Sequence, residues 1–149
     1  MADVAVPVKA AKRGLKKSMK IIILLLKVII PVSCLVVTLE YFKILEPVAG
    51  FFAPVMSLLG LPGEAALVLA FGFFINVFAA IGAMATISLT TWEITTLAVM
   101  IGISHELFIE SAICSHTGLR IPVSIVLRIS VALMAGIFLN ILFNFVLGV

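Results

Sequence analysis

Long apolar runs separated by short polar clusters set the pattern of this chain. The first run, Ile21 to Leu39, carries one charge, Lys27, and one proline, Pro31. A bilayer core of about 30 Å needs about 20 apolar helical residues, so this run predicts a first membrane helix. Pro31 predicts a kink in it, and Lys27 can extend its ammonium back toward the basic end of the chain. Glu40, Tyr41, Phe42, Lys43 and Glu46 then mark an aqueous boundary. Beyond them Val48, Phe51, Phe52, Val55, Met56 and Leu59 recur at helical spacing, one apolar stripe on a segment interrupted by Pro47 and Pro54. That segment is too short and too broken for a comfortable crossing, and an in-plane interfacial amphipathic helix fits it better.

From Leu61 to about Leu89 the chain is apolar and rich in small residues, among them Gly72, Ala79, Ala80, Gly82, Ala83 and Ala85, with Asn76 near the middle. Two arrangements fit: a single tilted helix, or a re-entrant hairpin of two half-helices turning near Asn76. The hairpin is tolerated only where protein or water covers its tip. A further apolar run, Ile94 to Ile113, is long enough to cross, and the last extends from Pro122 to about Leu147. In the last run Arg128, Ala132, Gly136, Asn140, Asn144 and Gly148 recur every fourth residue. Neighbouring members share a face that drifts about 40° per step. Small residues there allow close helix approach, and Asn140 and Asn144 are expected to make polar contacts between helices.

Composition turns this pattern into a class. Of 149 residues, 64% are hydrophobic and 11% charged, against about 45–50% and about 25% in soluble domains. The expected fold is an all-α integral membrane protein. It comprises a basic N-terminal segment (1–20), a first membrane helix, an interfacial helix, a re-entrant hairpin and two further membrane helices, with residues 21–149 as one membrane domain. Lys9, Lys12, Arg13, Lys16, Lys17 and Lys20 supply six of the ten positive charges. Basic flanks stay cytoplasmic, so the N-terminus is expected in the cytoplasm, with a bacterial inner membrane the expected location. The first run is too long for a cleaved signal peptide and lacks a small-residue cleavage site. The basic cluster reads as a membrane-surface signal, and nucleic acid is not an expected partner.

Charge also bears on the hairpin. The turn at Thr90–Glu93 has no Lys or Arg, whereas Arg120 and Arg128 follow the next turn. If residues 61–89 crossed once, Arg120 would lie outside, against the positive-inside tendency. A hairpin restores it.

Candidate chemistry concentrates in one span. His105, Glu106 and Glu110 lie inside the 94–113 run, followed by Cys114 and His116. Each ionisable group at mid-bilayer costs about 2.5–3.5 kcal/mol or more, so such groups mark functional or paired positions. On a continuous helix Glu106 and Glu110 share a face, and His105 points about 100° away, one residue's turn at 3.6 residues per turn. Glu110 and Arg128 are equidistant from the turn near Leu119, which predicts a structural ion pair between antiparallel helices. Glu106 has no cation at its depth, making it, with His105, the candidate proton or cation position. Asn76 offers a donor and an acceptor at the expected hairpin tip, as a solute contact or as a packing residue. His-Glu-x-x-x-Glu differs from the zinc-protease pattern H-E-x-x-H. No catalytic set, phosphate loop, metal site or cofactor is expected, and the two cysteines, Cys34 and Cys114, lack metal or redox spacing.

Pro47, the stretch Leu59-Gly60-Leu61-Pro62-Gly63-Glu64-Ala65-Ala66, His105 through Glu110, Thr117-Gly118 and Arg128 together resemble the Gate family, the nucleoside recognition domain. The resemblance covers most of residues 20–149. That domain occurs in concentrative nucleoside transporters, ferrous iron transporter B, and spore maturation proteins A and B. It implies a repeat of an interfacial helix, a helical hairpin and crossing helices. In the nucleoside carriers such repeats occur as inverted pairs around a solute site. One repeat is visible here, without the GTPase domain of the iron transporter. The implied function is a half-size permease component, not an enzyme, moving a small solute or ion, with nucleoside among the candidates. The expected assembly is a homodimer or a heterodimer with another Gate-type protein. A non-transporting scaffold or regulatory subunit is the alternative.

Overall fold

The computed structural model describes residues 5–116 and 118–147. Asp3, Thr117 and Gly148, and the side chain of Lys9, lie outside the described residues. Seven helices follow one another: α1 (Ala5–Tyr41), α2 (Leu45–Leu58), α3 (Ala65–Phe74), α4 (Val77–Met84), α5 (Thr91–Ser104), α6 (Leu107–Ser115) and α7 (Ile121–Leu147).

Helix α1 joins the basic segment and the first membrane run into one element of 37 residues. Lys, Leu and Ala favour helix, so the helical backbone runs from the basic stretch into the apolar one without a break. The helix continues through Pro31 and closes at Lys43, whose backbone is left-handed (φ 55°). There Ile44 N–H donates to Leu39 O and Lys43 N–H to Glu40 O, both at 2.9 Å, satisfying carbonyls a helix end leaves open.

Helix α2 has Pro47 in its first turn, where a missing N–H costs little, and it also accommodates Pro54. Its stripe is divided: Met56 and Leu59 are buried, while Phe51 is 77% exposed. Exposure of a phenylalanine is unremarkable on a surface facing lipid.

Residues 61–89 contain two short helices, α3 of 10 residues and α4 of 8, each far below the length of a crossing. The break falls at Ile75–Asn76. Both Ile75 N–H and Asn76 N–H donate to Phe71 O, at 2.9 and 3.0 Å. Asn76 turns extended and caps α4, its Oδ1 accepting from Ala79 N–H at 2.8 Å, as an asparagine at a helix start is suited to do. The pair folds back on itself: Glu64, before α3, and Thr86–Ser88, after α4, line one small cavity with Glu40. Helix α4 lies on α1, where Ser33 Oγ donates to Gly82 O at 2.8 Å. A Cβ at Gly82 would stand 3.1 Å from Ile29 O, so the small residue sets the approach.

Helix α5 begins with a capping box, Thr90 with Glu93. Helices α5 and α6 run antiparallel to α7. The rings of Trp92 and Phe143 lie 5.2 Å apart, Ser104 Oγ donates to Arg128 O at 2.8 Å, and Ser111 Oγ to Ser124 Oγ at 3.1 Å. At Gly136 a Cβ would fall 2.7 Å from Met100 Sδ, so α5 and α7 meet closely. Helix α3 is central, burying Ala65, Val68, Leu69 and Phe73 against its neighbours.

Three stretches are long and apolar enough to cross a membrane: Lys12–Tyr41, Thr91–Ser115 and Ile121–Val146. Large apolar side chains cover their outer faces, Leu24, Phe138 and Phe145 among them. The chain is an all-α integral membrane protein, with no strand among the described residues.

Candidate functional site

The 94–113 run is not one continuous helix. It breaks between α5 and α6, where His105 is extended (φ −66°, ψ 152°) and Glu106 is left-handed (φ 46°, ψ 46°). The helix face assigned to Glu106 and Glu110 on a continuous helix is therefore corrected: Glu106 precedes α6 as its N-cap. A left-handed non-glycine residue costs about 1–3 kcal/mol and persists only where its surroundings enforce it. Here the enforcing contact comes from α3. Glu106 N–H donates to Gly72 O at 3.2 Å. Position 72 must be small, because a Cβ there would lie 2.9 Å from Ile101 Cγ1. Glu106 O in turn accepts from Glu110 N–H at 3.1 Å, the first turn of α6. The rings of Phe74 and Phe108, 5.8 Å apart, bring the last turn of α3 against that same turn.

Arg128 spans the break from α7. Its Nε and Nη2 donate to Ile103 O at 3.1 and 3.0 Å, covering a carbonyl at the negative end of α5. The same guanidinium forms an ion pair with Glu110 Oε2. The other carboxylate oxygen, Oε1, lies 3.1 Å from His105 Nε2. Three predicted residues thus meet in one cluster: His105, Glu110 and Arg128. His105 therefore faces Glu110, not the separate face a continuous helix would give it, because the extended backbone at the break redirects its side chain.

Among the described residues His105 Nδ1 is buried and has no hydrogen-bond partner, an arrangement that costs about 1–3 kcal/mol. Glu106 is half-buried and forms no ion pair among the described residues. A cavity of about 420 Å³ opens onto Glu110 and Arg128. Among the described residues no group of three or more His, Cys, Asp or Glu side chains could hold a metal ion. The cluster therefore places an ion pair, an imidazole and two interrupted helices side by side.

The other predicted residues lie apart. Asn76 caps α4 at the α3–α4 turn. Asn140 and Asn144 sit at the opposite end of α7, where Asn140 Nδ2 donates to Leu58 O at 3.0 Å and Asn144 Nδ2 to Asn140 Oδ1 at 2.8 Å.

The model of the family described as nucleoside recognition, Gate, matches residues 22–147. The chain belongs to the Gate family. The match takes in all of α2 to α7 and most of α1, so the broken helices and their ion cluster fall inside the Gate unit. A Bacillus subtilis (strain 168) protein named "Uncharacterized membrane protein YvoD" is 37% identical over 118 residues, 79% of this chain and 38% of that protein. This Gate chain thus spans well under half the length of that curated relative. No solved structure gives a significant match to it.

Sequence reasoning passed over two residues that hold the break. Gly72 stood among the small residues of its run, yet its position four residues before Asn76 places its carbonyl beside the break. Ser104, which bonds Arg128 O, opens the polar triplet Ser104-His105-Glu106. Three polar residues in succession within an apolar span were the available signal that the helix stops there.

Proposed function

We propose that this chain is a half-size transport component that moves a small solute or ion across the membrane as a homo- or hetero-oligomer, with nucleoside among the candidate solutes. The observation carrying this reading is the contact of two interrupted helices at Gly72 O and Glu106 N–H. Interrupted helices expose backbone groups and helix ends in the middle of a membrane protein, a recurring way to build a solute or ion site. Asn76 contributes an amide from one interruption. His105 and Glu106 contribute an imidazole and a carboxylate from the other, with Glu110 paired to Arg128. The chain is proposed as a carrier or binding component, not an enzyme.

The proposed orientation places the N-terminus in the cytoplasm of a cell, following the lysines and arginine of α1. The α3–α4 pair is then re-entrant from the outer side. In this arrangement Arg120 falls on the same side as the start of α1, as the positive-inside tendency asks. Six basic residues favour one orientation strongly, so a parallel homodimer or a heterodimer with an oppositely oriented Gate protein is the proposed assembly. A second reading is a non-transporting scaffold or regulatory subunit of a larger membrane complex.

Liposome uptake tests the proposal. Reconstituted protein is expected to accelerate entry of a nucleoside, cation or proton, and Glu106→Gln is expected to reduce that rate at least tenfold. Absence of movement for every solute tried, with the protein folded and inserted, leaves the scaffold reading.

A further inference from the structure

A second cavity lies at the far end of α5 and α7, remote from the ion cluster. It measures about 400 Å³ and is lined by Trp92, Glu93, Phe143 and Asn144, with Ser57 and Thr90 beside them. We propose that it binds an alkylammonium group. This inference goes beyond the transport reading and does not depend on it.

Three observations on the cavity point to that chemistry. Among the described residues Glu93 is the one charged side chain lining it, so anions are disfavoured and a cation is matched. The tilted pair of Trp92 and Phe143, with centroids 5.2 Å apart, supplies aromatic faces, which attract ammonium ions. The volume falls within the range of small-molecule sites, about 300–1,000 Å³, and far exceeds a bare metal ion.

The walls are fixed before any ligand arrives. Glu93 is oriented by its cap: Thr90 N–H and Thr90 Oγ donate to Oε2 at 2.6 and 2.8 Å. Both bonds fall on one oxygen, so Oε1 keeps its acceptor capacity. Asn144 is held by Asn140, and Asn140 by Leu58 O. Gly60 closes α2 with φ +67°, and a Cβ there would lie 2.3 Å from Asn140 Oδ1. The α2 end and the α7 amides are therefore locked together at the cavity wall.

The alkylammonium could belong to a free amine or to an ethanolamine lipid headgroup, and one experiment separates them. Trp92 is the single tryptophan of the chain, so its emission reports this cavity alone. The full chain in phosphatidylglycerol nanodiscs is titrated with tetramethylammonium and with ethanolamine, against sodium chloride at equal ionic strength. A saturable emission change is expected with the ammonium compounds and none with sodium. Glu93→Gln is expected to weaken the apparent affinity at least tenfold, while glutamine keeps the capping box. Phe143→Leu is expected to weaken it as well, and it serves should the first variant fail to fold. No saturable response, an equal response to sodium, or wild-type affinity in both variants overturns the proposal. In nanodiscs containing phosphatidylethanolamine, emission already at its end point with no further titration identifies the headgroup as occupant. An undiminished titration there identifies a free amine.

Discussion

Two helices of this protein are interrupted, and the interruptions are built on opposite principles. The one at Ile75–Asn76 is closed by its own neighbours: Phe71 O takes both free N–H groups, and Asn76 caps the next helix. The one at His105–Glu106 is closed from a distance. Gly72 O holds it from α3, and Arg128 holds it from α7. A locally closed turn survives wherever its few residues are kept. A remotely closed break exists only while three helices are packed together, and it is the one that carries the charges. The lesson is that strain and chemistry collect where the chain relies on distant partners.

Predictions follow from breaking each closure in turn. Arg128→Ala removes both the Glu110 pair and the Ile103 cap, and loss of a partner from a buried pair costs about 3–5 kcal/mol. Denaturation in mixed micelles followed by circular dichroism should show a loss near the lower end of that range, since Glu110 is 33% exposed. A loss under about 1 kcal/mol, the worth of a surface pair, would deny the remote closure.

Gly72→Leu drives a side chain into Ile101 and separates α3 from the break, an overpacking cost of about 1–3 kcal/mol. The same denaturation measurement checks it, and amide exchange at Glu106 should accelerate. Unchanged exchange would mean the Gly72 bond is not what holds the residue.

Asn76→Ala should cost about 1 kcal/mol, the ordinary value of an N-cap, and leave exchange at Glu106 as it was. A wider disturbance would show that the two interruptions are coupled more tightly than their separate hydrogen bonds imply.

Glu106→Gly has the smallest effect and the opposite sign. Relief of about 1–2 kcal/mol of left-handed strain, less about 0.5–1 kcal/mol of glycine entropy, leaves a net gain of about 0–1.5 kcal/mol. Greater stability combined with lost uptake would separate the carboxylate's role from its backbone's.

The same contrast explains what could be read from the sequence. The apolar runs, the basic start and the turn at Asn76 are local features, and each left a local mark. Asn76 stands amid small residues, and asparagine favours helix starts. The equal spacing of Glu110 and Arg128 about one turn led to their pairing, since antiparallel helices obey simple geometry. The break at His105–Glu106 left only the polar triplet Ser104-His105-Glu106 to mark it. Its cause is a carbonyl thirty-odd residues earlier and a guanidinium twenty-odd residues later, which no periodicity records. The length of α1 was hidden for the reverse reason: charge changes at residue 20, but helix propensity does not.

The contact of Gly82 with Ile29 and Ser33 has a consequence for the order of assembly. Chains are synthesised from the N-terminus at about 5–20 residues per second. When α3 and α4 are made, α1 is the long helix already present, and Gly82 gives α4 a place to rest on it. Helix α5 and the residues around Glu106 follow a few seconds later at that pace. During that interval the Gly72 carbonyl and the inner face of α3 wait for their partner. Arg128 arrives later still, so the ion cluster closes only once α7 has begun to emerge, and the contacts of Asn140 and Phe143 at the far end of α7 follow it.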